Sequence, residues 1–317
     1  MGYSKIVLTG FFALSQYSAM GAEVDQFTQR DETLTDSASL INQKANAAIL
    51  AAVKNANNKN KGCDEKILYK ELKGYYSNHL SGKLIKDILK DKNIDQRNVP
   101  IQQSVYQDWN AWDGVGMGIK FISKTGDTMS GVMRVGDQYV GVDKMEHMFG
   151  QGFKYFRKNY LEGKGEISAA KSGTFREKFF LGGNKIGNGV FSYGDLSANF
   201  NGMRMWNHML QKNDDILGVD HNVGPYISCV DNKWSQVKDI DFKYYLDDSM
   251  DESINCSKFP TDKTANKFAN RLKIMGMTCP MDQSKLDDMV IKYRQMSKWI
   301  INTKGIDKVK YLGKFTE

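Results

Sequence analysis

Proline, histidine and cysteine are all scarce in this chain, 4 of each among 317 residues that include 29 glycines. So little proline excludes a Pro-rich stalk or linker, and the glycines follow no collagen-like period. The histidines, His79, His147, His208 and His221, are far apart and form no HExxH. No cysteine pair has CxxC spacing and no His/Cys cluster has zinc spacing. A metal site would need assembly wholly by tertiary structure, so no metal and no cofactor is expected. HMFGQG and LEGKGE contain glycines without a Walker lysine–hydroxyl pair, and GxSxG is lacking. The carboxylates of Asp239–Glu252 do not fall at EF-hand positions.

What is present describes a globular chain, 41% hydrophobic and 26% charged, with a formal charge of +7. That charge attracts polyanions without choosing between nucleic acid, membrane surface and cell wall. Lys5, the apolar run Ile6–Leu14 and the small residues Ala19, Gly21 and Ala22 read as a cleavable secretory signal over residues 1–21. The run is shorter than the ~20 apolar residues that span a bilayer. Cleavage removes one cation, leaving 7 − 1 = +6. A secreted or periplasmic chain without stable membrane insertion is expected. Cys63, Cys229, Cys256 and Cys279 are then expected to form two disulfides. Of three possible pairings, Cys229–Cys256 with Cys63–Cys279 is the expected one.

Periodicity predicts a mainly α chain (α+β) with short β-hairpins. Leu40, Ala45, Ala48, Ile49, Ala52, Val53 and Ala56 share one face of a helix over Ser37–Asn60, which Gly62 ends. Asp64 caps the next helix, and a third holds Leu84, Ile85, Ile88 and Leu89. The Asn/Lys patch Asn55–Lys61 reads as a solvated helix end. Glycines alternating with β-branched and aromatic residues over Gly114–Val142 predict hairpins. Helices follow over Val142–Tyr160, over Glu166–Phe180 with a bend near Gly173, and over Asp195–Leu210. YISCV and KWSQV form a hairpin about Asp231–Asn232, and two helices, Lys263–Met275 and Asp282–Asn302, finish the chain.

One stretch suggests chemistry. TFREKFFLGGNKIGNGVFSYGDLSANF sets Glu177 near a helix end, before a Gly-rich hairpin and a new helix. The helix dipole disfavours a carboxylate at a C-terminus, and burial under Phe179, Phe180 and Leu181 would add to that. A general acid for glycosidic cleavage needs such a protonated carboxyl. The competing reading makes Glu177 a solvated charge between Arg176 and Lys178. Asp143, Glu146 and His147 share a helix start, and Glu146 reads as a surface or N-terminal-turn charge rather than a catalyst.

GVFSYGDLSANFNGMRMW (189–206) and GVDKMEHMFGQGF (141–153), with GCDEKILYKEL, VYQDW, ESINCSKF and MTCP, resemble the deacetylated-peptidoglycan-specific lysozymes of predatory bacteria, within the lysozyme superfamily. The resemblance covers most of the chain after the signal. It implies an N-terminal helical segment over 22–100 and a lysozyme-like catalytic domain with C-terminal helices over 101–317. It also implies hydrolysis of the β-1,4 bond in peptidoglycan glycan strands that have lost N-acetyl groups, by a monomer without nucleic-acid partners. Such enzymes pair a glutamate acid with a tyrosine. Position puts the acid at Glu177. Phe191 takes an aromatic, substrate-binding place without a hydroxyl, Tyr193 stands in as the catalytic tyrosine, and Asp195 is a candidate for the sugar amine. A lytic transglycosylase and a non-catalytic wall-binding protein are the alternatives.

Overall fold

The computed structural model describes residues 23–77, 81–110, 112–114, 128–185 and 187–307. The expected signal, His79 and most of the first half of the Gly114–Val142 hairpin region lie outside the described residues. The chain is mainly helical, with two two-stranded antiparallel sheets, an α+β arrangement. Among the described residues no helix is long and apolar enough to cross a membrane.

Helix α1 (Ala38–Asn57) buries the predicted Ala/Ile/Val stripe, with Ile41 rather than Leu40 completing it. It ends before Gly62, at a turn that includes Asn60 in the left-handed region. In α2 (Glu65–Lys73) Asp64 caps as predicted, its side chain accepting the Ile67 N–H. In α3 (Lys83–Lys90) Leu84, Ile85 and Ile88 are buried while Leu89 stays exposed. Strands β1 (Val132–Val135) and β2 (Gln138–Gly141) pair with Val132 opposite Gly141. The chain then passes directly into α4, residues 142–161, where α segments Val142–Glu146 and Gly152–Phe156 alternate with π segments His147–Gln151 and Arg157–Leu161.

Next come α5 (Glu166–Phe179) and α6 (Tyr193–Leu210). Strands β3 (Ile227–Val230) and β4 (Lys233–Gln236) form the second hairpin, turning through Asp231 and Asn232, both at positive φ. Helices α7 (Asp262–Ile274), α8 (Gln283–Tyr293) and the single turn α9 (Ser297–Ile300) complete the chain.

The long helix predicted over Asp282–Asn302 breaks at Arg294, φ +48°. The break lets Tyr293 stay buried against Asp247 and Asn201 while α9 turns back to α6, where Ser197 Oγ binds the Ile300 carbonyl at 2.9 Å. No break falls at Gly173, for α5 runs unbroken. A Cβ at Gly173 would fall 1.6 Å from the Tyr155 hydroxyl, so the glycine makes room for a ring.

Helix α6 is central, with Gly194 to Met209 all buried. It meets α4 backbone to backbone, for a Cβ on Gly202 would lie 2.2 Å from the Met148 carbonyl oxygen. Trp206 Nε1 donates to the Phe149 carbonyl at 3.0 Å within the first π segment, where widened turns loosen the helix's own bonding. One apolar cluster joins α1–α3 to α4, α6 and α9, through Ile41, Leu72, Ile85, Phe149, Trp206 and Ile300. A smaller one holds Phe27, Tyr106, Trp109, Phe259 and Phe268.

All four cysteines are bonded, but as Cys63–Cys229 and Cys256–Cys279, against the expected pairing. Asn57 explains the first bridge. Its side chain both donates to the Trp234 carbonyl and accepts the Trp234 N–H, at 2.9 Å each, fastening the β3–β4 hairpin beside the end of α1. The Asn/Lys patch is thus a docking point at Asn57 as well as a solvated end. Cys256 precedes α7 and Cys279 follows it, 23 residues on, with their Cα atoms 5.8 Å apart.

Candidate active site

Four elements converge in front of α6. The first turn of α4 brings Asp143, Lys144, Glu146 and His147, and α6 brings Asp195 in its first turn. Ser192 caps α6, its Oγ accepting the Asp195 N–H at 3.0 Å while donating to Glu252 Oε1 at 2.6 Å. Glu177 arrives from the last turn of α5, and Glu23 from the N-terminal segment, pinned by the bond from Ser130 N–H to its carbonyl.

Lys144 is the hub. Its fully buried ammonium donates to Asp143 Oδ2 at 2.7 Å, Asp195 Oδ1 at 2.8 Å and Glu252 Oε1 at 2.7 Å. His147 places Nε2 3.0 Å from Asp195 Oδ2 and Nδ1 3.1 Å from Asn199 Oδ1. With an acceptor at each ring nitrogen, the imidazolium is the form that fits. Burial opposes that charge, yet Asp195 outweighs it and lifts His147 to about 9. Burial would likewise raise Asp195, but the His147 and Lys144 cations override it and hold Asp195 well below the usual carboxylate range.

Glu177 is 1% exposed, and neither carboxyl oxygen has a well-formed hydrogen bond. Burial first, then the Asp195 charge, push it up to about 8, against the pull of His147, Lys144 and the Ser192 backbone N–H. Its protonated form is therefore favoured well above the ordinary carboxyl range. The covering differs from expectation, because Phe179 and Phe180 are 39% and 59% exposed and stand with Phe175 as an outer aromatic group. Residues 181–189 do the covering instead. They form no hairpin among the described residues, but a tight loop in which the Gly189 and Val190 N–H groups both donate to the Gly182 carbonyl. A Cβ on Gly182 would lie 2.9 Å from Glu177 Oε1 and 2.2 Å from the Val190 carbonyl oxygen, so only glycine fits.

Gly182 lies at the edge of a cavity of about 380 Å³. Asp195, His147, Glu146, Asp143 and Glu23 line it too, while Glu177 is not itself in the lining but has its Oε1 beside Gly182, which is. Glu146 lies at the start of α4 as expected, but it is buried and lines this cavity, which corrects its reading as a surface charge. Asp143, Glu146 and His147 stand at i, i+3 and i+4, hence on one helix face.

The other candidates fall elsewhere. Tyr193 opens α6, packs edge-on against Phe191 at 5.2 Å, and is not part of the cavity lining. Burial pushes its hydroxyl up to about 12. Phe191 is buried and pairs by backbone with Lys258. Sequence reasoning missed Lys144, Glu252 and Glu23. Lysine amid carboxylates gives no local signal, and Glu252 and Glu23 are 108 and 121 positions from Lys144. His147 could have been found by asking which side chains share a helix face with Glu146 and Asp143.

No protein-family model, curated protein or solved structure matches the chain. The site must be read from its own chemistry. Oxygen and nitrogen donors of His147, Glu177 and Asp195 lie within 4.8 Å of one another, as do those of Glu23, Asp143 and Glu252. Either trio has the donor types of a divalent-cation site. Around the second, the Lys144 ammonium already binds Asp143 and Glu252. The first sets a carboxyl raised by burial beside one held low by neighbouring cations, an arrangement suited to proton delivery and to stabilising positive charge.

Proposed function

We propose that this chain is an exported glycoside hydrolase that cleaves the β-1,4 bond of peptidoglycan glycan strands, with Glu177 as the acid. One arrangement carries the reading: the buried Glu177 carboxyl, pushed up to about 8, lies within 4.8 Å of the Asp195 carboxylate, which lines the cavity and is held by Lys144 and His147. In the reaction Glu177 donates its proton to the glycosidic oxygen and the bond from that oxygen to the anomeric carbon breaks. Asp195 and Glu146 stabilise the positive charge on the sugar. Water then adds hydroxide to the anomeric carbon and returns a proton to Glu177. The acidic wall formed by Glu146, Asp143 and Asp195 suits a sugar amine better than an apolar acetamide pocket would, which supports a preference for deacetylated strands. The two disulfides accord with an oxidising compartment.

A second reading has its own support. Asp195 is held by both Lys144 and His147, so it is not free to act as nucleophile or base. A single carboxyl acting as acid and then base is the lytic transglycosylase pattern, in which the sugar's own hydroxyl attacks and an anhydro product forms. Digestion of native and chemically deacetylated sacculi, with mass analysis of the fragments, separates the readings. Faster release of reducing ends from deacetylated sacculi is expected. Equal cleavage of both removes the deacetylation preference, and anhydro ends select the transglycosylase. No cleavage by folded protein leaves a wall-binding protein.

A further inference from the structure

The cavity does not end at its acidic wall. Its outer part runs into a second depression along α2, and Lys73, Phe153 and Arg157 line both. Helix α2 sets Lys66, Lys70 and Lys73 at i, i+4 and i+7, on one face and spanning roughly 10 Å of helix axis. All three are exposed at the depression, and α4 adds Lys154 and Arg157 from the facing side. Between the rims lie Tyr69 and Phe153, ring centroids 6.1 Å apart, with the Lys73 ammonium 4.7 Å over the Phe153 ring.

The carboxylates nearby are committed elsewhere. Asp64 caps α2, and Glu65 is paired with Lys212. Among the described residues Lys66, Lys70, Lys73 and Lys154 have no carboxylate partner, and Arg157 has Glu162 at 3.1 Å while its side chain stays 57% exposed. Arg176 stands close enough to Lys154 for their charges to repel, and its Nε is buried without a partner. Like charges gathered over an aromatic floor, most of them without a carboxylate partner, point to an anion from outside.

We propose that this depression is a subsite for a carboxylate-bearing unit of the same glycan whose neighbouring unit occupies the cavity, so that the whole cleft reads a strand carrying carboxylates at intervals. The inference rests on the glycan reading of the cavity. The opposite charge of the two ends argues for this ligand over a nucleic acid. A polymer with an anion on every unit would meet Glu146, Asp143 and Asp195 as it entered the cavity, whereas intermittent charge avoids them. The tilted rings, 55° between planes, also offer no parallel stack for successive bases.

The test is binding, which needs no turnover. The full-length Glu177→Gln protein is sedimented with sacculi whose carboxyls are free, or blocked as methylamides. The same is done with Lys66→Glu/Lys70→Glu added, after a melting curve shows that the double change leaves the fold intact. Loss of affinity of about tenfold is expected from the charge reversal, together with a flatter salt dependence. Blocking the carboxyls should weaken the parent and bring it level with the reversed protein. Unchanged binding after charge reversal, or after blocking, overturns the proposal. So does a single-stranded DNA oligonucleotide that competes as well as soluble wall fragments. Full lytic activity in Glu177→Gln would instead defeat the acid assignment while leaving the binding result standing, and no sedimentation of any form would defeat both.

Discussion

Two histidine–aspartate contacts sit at opposite ends of α6, each with Nε2 3.0 Å from a carboxylate oxygen. At the C-terminal end His208 meets Asp215, both fully buried, while the Arg204 Nε binds both Asp215 oxygens at 3.0 Å and Tyr245 closes the other side of the ring at 2.8 Å. Burial there works against Asp215, but His208 and Arg204 override it and keep the carboxyl below its ordinary range. At the N-terminal end the counts do not balance. One lysine and one histidine face Asp143, Asp195, Glu252, Glu23 and Glu177. The excess appears as raised carboxyls: Glu23 well above its ordinary value, Asp143 to about 6 and Glu177 to about 8, each chiefly through burial. The matched end is sealed, whereas the unmatched end opens on a cavity. Retained charge imbalance beside solvent is how acid–base sites are built, and matched burial is how a core tolerates polar groups.

The largest effect should come from the unmatched end. Glu177→Gln is expected to lower wall-degrading activity by about 10²–10⁴-fold while leaving the melting temperature within a few degrees, since it removes a proton donor and little packing. Zymography and thermal melts check both halves, and retained activity would place the acid elsewhere.

Next, removing the anion from the matched end should cost stability. Asp215→Ala strands the Arg204 cation in the core and is expected to cost about 3–5 kcal/mol in denaturant unfolding. Asp195→Asn should cost clearly less stability, because Asp143 and Glu252 remain on Lys144, but should reduce activity. Equal destabilisation by the two changes would erase the distinction between the ends.

A smaller effect concerns pH. Glu177 titrates near its ordinary 4.5 when unfolded and near 8 when folded, so the folded state holds its proton more tightly. That contribution to stability is complete below pH 4.5 and is lost as pH rises through about 8. Glu177→Gln, neutral throughout, should match the wild type near pH 4.5 and become relatively more stable toward pH 8 and above. Wild-type activity should fall over the same upper range as the acid loses its proton. A gap in melting temperature that does not change with pH would contradict the protonated Glu177.

The smallest effects separate cavity from core. Glu146→Gln should reduce activity, because Glu146 lines the cavity, whereas Tyr193→Phe should leave it within about twofold, because Tyr193 packs on Phe191 and does not line it. Assays of the two variants under one set of conditions rank them, and the reverse order would restore the tyrosine as the partner group.

By itself the sequence determined the local elements. The α1 stripe, the Asp64 cap, the Asp231–Asn232 turn and the helical stretches around Glu177 follow from interactions between residues a few positions apart, so period and turn chemistry reveal them. It also placed a carboxyl at the end of α5 and glycines beyond it. Tertiary structure decided the rest. The α4–α6 contact through Gly152 and Gly202 sets His147 beside Asn199 and Asp195. Folding gathers Glu23, Lys144 and Glu252 into one cluster and packs Tyr193 against Phe191 outside the cavity lining, and Asn57 steers Cys63 to Cys229 rather than Cys279. A carboxyl's proton affinity depends on what surrounds it. For Glu177 those surroundings are the folded-back Gly182 loop and an aspartate 18 positions away, so its role was fixed only when distant segments met.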